Sequence, residues 1–353
     1  MSVEIRLLQR DELALANDFY NDIYKTNRTF DNFLWEFVNG PAGPAIYVAA
    51  LDTTGTSVKI VGIQCAIPLN LMATDGRTIL TAKSEDTLVH PNYRGQKLFE
   101  RMYELLFTEC QKAGIKYIWG FTPAVKAFER IGFQIPFRTT QALLVIKPLQ
   151  AFKHLARLNP SNTTKDKLKI LGLCLLSWIK KRPRVKMTVE HEVVPHSEKE
   201  EMIRKFYQHQ PWFFLLQNDR YNKWRLELNP FGNDYRNIRF TSAGQLVADV
   251  VINVRKDVSY VEQLLMSPDL QDKQVMGIMN VLTRHLRDSG APLIRALCFT
   301  NSEEGRKQIQ WLKQAGFTYL DRGNHFVWKP LGQDETVHVE HLILSRLFTQ
   351  GNL

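Results

Sequence analysis

Cysteine is scarce in this 353-residue chain: Cys65, Cys110, Cys174 and Cys298 are the only four, far apart, with no CxxC and no partnering pair of histidines. That spacing argues against a disulfide framework and a zinc site, so no metal is expected, and it suits a reducing cytoplasm. No run of about 18 apolar residues occurs, so no membrane-spanning helix is expected. The opening MSVEIRLLQRDELALA reaches an acidic residue at position 4 and has no apolar core, which argues against a signal peptide. RNP-type and helix-turn-helix signatures are missing, and nucleic acid is not expected as a partner. Acid is also in short supply, with 36 Asp and Glu against 46 Lys and Arg, a formal charge of +10. Such an excess suits an anionic partner, be it a phosphorylated cofactor, an anionic membrane surface or nucleic acid, and it also serves plain solubility; charge alone does not choose among these.

What is present suffices for two domains. At 44% apolar and 23% charged residues, each half can bury a core. The pattern reads as strand (3–8), helix (11–24) and a second helix in FDNFLWEFVNGP, stopped at Asn39-Gly40-Pro41. A hairpin follows (45–51 and 60–67), then the Asp75-Gly76 turn and a strand over 79–89. The period then changes: Leu98, Met102, Leu105, Leu106 and Ala113 mark a helical face ending at Gly114. A short apolar strand (115–121) and a helix (124–131) close with Gly132-Phe133.

Landmarks recur in the same order farther on. Trp35 precedes Pro41 by six residues and Trp224 precedes Pro230 by six. Pro91 opens a helix ended by Gly114, and Pro268 one ended by Gly290, spacings of 23 and 22. Each is followed by an apolar strand (115–121; 293–299), a helix and a Gly-Phe (132–133; 316–317). This is the mark of an internal duplication. Between the halves, apolar Leu168–Ile179 is flanked by Lys165, Lys167 and Lys169 and by Lys180, Lys181, Arg182 and Arg184. It reads either as a linker helix packed on one or both domains or as an interfacial helix, with residues 165–186 in peripheral contact with an anionic membrane.

The chemistry is concentrated in Thr87-Leu-Val-His-Pro-Asn-Tyr-Arg-Gly-Gln-Lys-Leu-Phe99. A strand ends at Val89, Pro91 breaks it, and a turn containing Arg94-Gly95 opens an amphipathic helix. The first N–H groups of a helix lack intrahelical acceptors and converge where the dipole also favours negative charge. Gly95 permits a turn that a Cβ would strain, and Arg94 and Lys97 add positive charge. A pyrophosphate is a natural occupant, although an ordinary strand–helix connection would also contain such residues.

With its context, the stretch resembles motif A of the GNAT (GCN5-related) N-acetyltransferases, V-x-P-x-Y-R-G-x-G-x-G/A on a strand-to-helix turn. Here it reads Val89-His-Pro91-Asn-Tyr93-Arg94-Gly95-Gln96-Lys97-Leu98-Phe99. The match is close over residues 60–135, and the duplication resembles the bacterial tandem-GNAT proteins. The resemblance implies an α/β (α+β) fold of two tandem domains, each a mixed, largely antiparallel sheet flanked by helices. The expected organisation is an N-terminal acyltransferase domain (1–150), a basic, apolar linker region (151–188) and a C-terminal domain without the CoA motif (189–353). It also implies acetyl-CoA or another acyl-CoA as co-substrate. Arg94, Gly95, Gln96, Lys97, Leu98 and Phe99 would hold the phosphates, and Leu88 and Val89 the pantetheine arm where their strand splays from the next. The implied reaction is acyl transfer to a small-molecule amine, an amino sugar being one candidate, in the cytoplasm or peripherally at the inner membrane face. A catalytically weak or inactive CoA-binding or protein-interaction pseudoenzyme is the alternative.

Three departures from the pattern motivate that alternative. Lys97 stands where a motif glycine is usual and Phe99 where Gly or Ala is usual. Phe128 occupies the place of a Tyr that protonates the departing thiolate. Phe121 and Pro123 lie where an Asn is common. An amine must be neutral to attack, so a base or a water relay is needed. Glu85 and Asp86, adjacent on the strand, are the alternative candidates, of which at most one should face the cleft; His90 is a lesser one. The second half has Ser267-Pro-Asp-Leu-Gln-Asp-Lys-Gln274 at the corresponding point, without Arg-Gly, and is expected to bind no CoA. The aromatic clusters 211–214 and 221–224 serve either an acceptor cleft or core packing.

Overall fold

The computed structural model describes residues 3–55, 58–159, 161–179, 190–208, 212–332 and 337–349. The first half runs β1 (Val3–Leu7), α1 (Leu13–Tyr24), α2 (Phe30–Phe37), β2 (Ile46–Asp52), β3 (Lys59–Ala73) and β4 (Thr78–Val89). It continues through α3 (Leu98–Lys112), β5 (Tyr117–Thr122), α4 (Val125–Arg130), β6 (Gln134–Arg138) and β7 (Thr140–Val145). Helices α5 (Pro148–Arg157) and α6 (Thr164–Ile179) come next, then β8 (Glu190–Val194), α7 (Glu200–Tyr207), β9 (Phe213–Leu215) and α8 (Asp219–Asn222). The chain ends with β10 (Asp234–Ser242), β11 (Gln245–Val254), β12 (Ser259–Met266), α9 (Asp272–Asp288), β13 (Leu293–Cys298), α10 (Glu303–Gln314), β14 (Thr318–Leu320) and β15 (His325–Pro330), followed by short turns.

Two compact units result. The first comprises Met1–Pro136, Phe213–Phe231 and His325–His338; the second comprises Phe137–Trp212, Gly232–Asn324 and Val339–Leu353. They differ from the contiguous segments 1–150 and 189–353 expected from the sequence. The reason is a strand exchange. In the first sheet, ordered β1-β2-β3-β4-β5-β15-β6, the late strand β15 lies between β5 and β6. In the second, ordered β14-β7-β13-β12-β11-β10-β8, the early strand β7 lies between β14 and β13. Alternating apolar residues mark a strand but carry no record of its partner. Phe326 and Trp328 bury against β5, where Phe326 meets Phe121 at 5.2 Å and Trp328 stacks on Tyr117 at 4.7 Å.

In the first unit, adjacent residues of β2 feed opposite cores, as a pleated strand requires. Tyr47 joins Phe33 and Phe37 of α2, while Val48 and Ala50 join Leu98, Met102 and Leu106 of α3. Trp35 and Trp224, matched in the sequence repeat, both belong to this unit and stack at 5.0 Å. Each indole Nε1–H donates to the other's backbone carbonyl, at 2.9 and 2.8 Å, a reciprocity expected of two equivalent segments. Trp212, Phe213, Phe214, Tyr221 and Trp224 are all buried, so these aromatic clusters pack cores; Pro211 lies outside the described residues.

The second unit repeats the plan, with β10-β11-β12 antiparallel and β12 parallel to β13 across the helix α9. Its other face is covered by α5 and α6, whose Ala151 and Cys174 pack with Leu143, Val145, Val258, Tyr260 and Leu293. The segment expected as a linker therefore contributes to this unit's core, while Lys180–Lys186 lie outside the described residues.

Candidate functional site

Parallel strands β4 and β5 pair only from Thr81↔Tyr117 to Lys83↔Trp119. Beyond that point they part, and a cleft of about 840 Å³ opens between Ser84–Val89 and Gly120–Thr122. Gly120 sits at the apex, where a Cβ would come within 3.2 Å of the Ser84 carbonyl oxygen. The fork is sharpened by a bulge, because Cys65 pairs with Glu85 and Ile63 with Leu88, leaving Asp86 and Thr87 opposite Gln64 alone. Asp86 has φ +47°, a left-handed conformation. That breaks the alternation of side chains, and both Glu85 and Asp86 line the cleft, not one of them as expected.

At the mouth, Pro91–Tyr93 form a single turn and Gly95 takes φ +82°. Helix α3 starts at Leu98 behind Lys97, which offers no side-chain cap. Its first intrahelical bond runs from Arg101 N to Lys97 O, so the amides of residues 98–100 have no acceptor within the helix. Arg94, Gly95 and Lys97 are exposed, and with Leu98 and Phe99 they line the cleft; Gln96 is not among its lining residues. Open amides, positive charge and a splayed strand edge thus meet in one cavity. Residues 4–135 match the family model described as acetyltransferase (GNAT) domain.

Over that stretch the chain is similar to a GNAT domain. Solved structures extend the likeness in fold to 93–95% of the chain. A GCN5-related N-acetyltransferase from Anabaena variabilis superposes with TM-score 0.60 at 7% identity, over 94% of this chain and 73% of that one. Saccharomyces cerevisiae N-myristoyltransferase with bound myristoyl-CoA gives 0.55 at 12% identity, over 93% and 82%. A tandem GNAT protein from the clavulanic acid biosynthesis pathway gives 0.54 at 12% identity, over 95% and 100%. No curated protein matches the chain. The fold is the α/β tandem-GNAT fold.

Within this segment, two of the departures from the motif account for each other. Phe99 meets Phe128 edge-on at 5.6 Å and Tyr103 at 4.9 Å, an aromatic cluster that fills the space a small motif residue would leave. Lys97 takes a left-handed φ of +57°, a conformation that glycine adopts freely, and bears the strain of a Cβ there.

The carboxylates divide by their partners. Asp86 accepts two hydrogen bonds from the Arg28 guanidinium, at 3.2 and 2.8 Å, and one from the Tyr47 hydroxyl at 2.6 Å. With its side chain 5% exposed, it is committed to anchoring Arg28, which speaks against the base role expected as one option. Glu85 is more open, at 35%, and pairs with the buried Lys83. His90 Nδ1 accepts the Asn92 amide at 3.2 Å and caps the turn.

Sequence reading missed Glu36, Tyr20 and Tyr24. Half-buried Glu36 on α2 has its carboxyl pushed up to about 8, by burial and then by the charges of Glu85 and Asp86. Tyr20 and Tyr24 line the cleft from α1, and burial followed by the Asp86 charge pushes the Tyr20 phenol up to about 12. Their i,i+4 spacing on α1 was a visible signal; for Glu36, inside an apolar helix stretch, only the folded neighbours reveal it.

The second unit has the same fork without the cleft. Pairing of β12 with β13 ends at Val261↔Ala296, and a bulge leaves the next residue, Glu262, out of the ladder with β11. There Leu344, Ser345 and Arg346 fill the gap, leaving about 20 Å³. Arg346 pairs with buried Glu262 and lies over the Tyr260 ring at 3.9 Å.

Proposed function

We propose that the chain is an acyl-CoA-dependent N-acyltransferase that loads its donor into the fork of the first unit and transfers the acyl group to a small-molecule amine. The observation that carries this is the fork itself, opening directly beside the uncapped start of α3. In this reading the turn Arg94–Phe99 cradles the pyrophosphate through backbone amides, with Arg94 and Lys97 adding charge. The edge at Leu88 and Val89 pairs with the pantetheine arm. The amine nitrogen attacks the thioester carbonyl, the C–N bond forms and the C–S bond breaks. Glu85, open to the cleft, takes the proton from nitrogen, and Asp86 positions Arg28. Glu36, behind them, sets the local charge balance. The second unit, its fork filled by its own chain, binds no CoA.

A second reading, a CoA-binding pseudoenzyme, is favoured by Phe128, which has no proton to give a departing thiolate. Titration calorimetry with acetyl-CoA, followed by a thiol-release assay over an amine panel, separates the two. Binding with turnover supports the enzyme; absence of binding removes both readings. Phe128→Tyr should raise turnover at least about tenfold if the missing acid limits the rate; an unchanged rate would show that the thiolate leaves unaided.

A further inference from the structure

Helix α6 is apolar on two opposite faces. One face, centred on Cys174 and Ser177, is buried on the second unit's sheet, with Ile170 and Leu173 packed beside it. The other carries Leu168, Leu175, Leu176 and Ile179 at spacings of seven, eight and eleven residues, which align along one stripe of a helix. Those four are 64%, 43%, 65% and 63% exposed, and Trp178 beside them is 50% exposed. A helix at a protein surface normally turns polar residues outward. Here the outward face has five large apolar side chains, and exposed Lys165, Lys167 and Lys169 surround its start.

The charge distribution names the partner. Residues 147–186 hold eleven of the chain's 46 Lys and Arg and one of its 36 Asp and Glu. The remaining residues hold 35 of each, so the whole formal excess of +10 resides in this segment. The single acid, Asp166, is engaged locally, accepting from the Thr163 amide at 3.2 Å and its hydroxyl at 2.6 Å. No helix among the described residues is long and apolar enough to cross a membrane. An apolar stripe rimmed by lysines and followed in sequence by Lys180, Lys181, Arg182, Arg184 and Lys186 matches the arrangement of a helix lying in the headgroup region.

We infer that the outward face of α6 is a docking surface for an anionic lipid bilayer, with the leucine stripe and Trp178 entering the interface and the cations lying on the headgroups. This surface is independent of the acyl-transfer reading and is tested without it. The full chain is co-sedimented with vesicles of phosphatidylcholine alone and of phosphatidylcholine mixed with phosphatidylglycerol, at physiological and at high salt. Binding is expected to the mixed vesicles at physiological salt and to fall at high salt. The double variant Leu176→Asp, Ile179→Asp should bind at least about tenfold more weakly while melting at an unchanged temperature. The triple variant Lys165→Glu, Lys167→Glu, Lys169→Glu should also lose binding. No binding of the wild-type chain, or equal binding by the double variant, overturns the assignment. So does a concentration-dependent dimer in light scattering that the double variant abolishes, which would give the face to a second copy of the chain.

Discussion

Beyond Lys83↔Trp119 the pair β4–β5 parts around about 840 Å³ of open space, whereas beyond Val261↔Ala296 the pair β12–β13 leaves about 20 Å³. The helix that follows each fork differs in the same sense. Lys97 leaves the start of α3 uncapped, while at α9 the Gln271 amide donates to Gln274 Oε1 at 3.0 Å. At the bulge, Asp86 is met by Arg28 from a loop after α1, and Glu262 by Arg346 from the end of the chain. Both forks thus keep a bulge carboxylate paired with an arginine, but only the second arginine arrives with a segment that fills the opening. Duplication copied the scaffold; whether a fork is a site depends on what else the chain lays into it.

The sharpest test of this contrast removes the plug's anchor. Arg346→Ala leaves the carboxylate of Glu262 buried and unpaired, and should cost about 3–5 kcal/mol in chemical unfolding. Acetyl-CoA affinity should not change, because the first fork is untouched; an equal loss of affinity would contradict the separation of the two. Next in size, Gly95→Glu should weaken acetyl-CoA by on the order of 100-fold, by setting a carboxylate beside the phosphates. Gly95→Ala meets the same backbone strain at φ +82° without the charge. It should bind within a few-fold of wild type, and calorimetry on the pair shows whether charge or strain governs the turn.

Smaller effects refine the comparison. Lys97→Gly relieves a left-handed Cβ and should stabilise the fold by about 1 kcal/mol, while loss of the cation weakens acetyl-CoA a few-fold. If stability falls instead, the lysine side chain contributes more than its backbone strain costs. The last test concerns pH. In the fold, Glu36 keeps its proton up to about 8, whereas an unfolded glutamate releases it near the ordinary 4.5. Between those values the folded state binds more protons, so this group's contribution declines as pH rises. Glu36→Gln should flatten that decline in unfolding curves taken across the window; parallel curves would assign the pH dependence elsewhere.

Much of the first unit was legible because its signals are local. Leu98, Met102 and Leu106 at helical spacing, the stop at Gly114 and the Arg94-Gly95 turn each depend on a few neighbouring residues. They placed α3 and the turn before it. Glu85 and Asp86 were harder, since the alternation rule fails where Asp86 adopts φ +47° to form a bulge. The partners that set their chemistry, Arg28, Tyr47 and Lys83, are brought close only by folding; Arg28 lies 58 residues from Asp86. The three motif departures were visible one by one, but the contact between Phe99 and Phe128 required α3 and α4 to be packed together.

By itself the sequence determined the main elements of the first unit, the repeated landmarks, the turn at Arg94-Gly95 and the segment that holds the excess charge, because each is a property of residues close together along the chain. Tertiary structure alone decided that β7 and β15 exchange sheets and that residues near the C-terminus fill one fork and leave the other open. It also decided that one stripe of α6 faces outward. The physical reason is that a strand edge accepts any partner of matching register, and an apolar face any surface that excludes water. Such choices among distant segments are made by packing, not by local pattern.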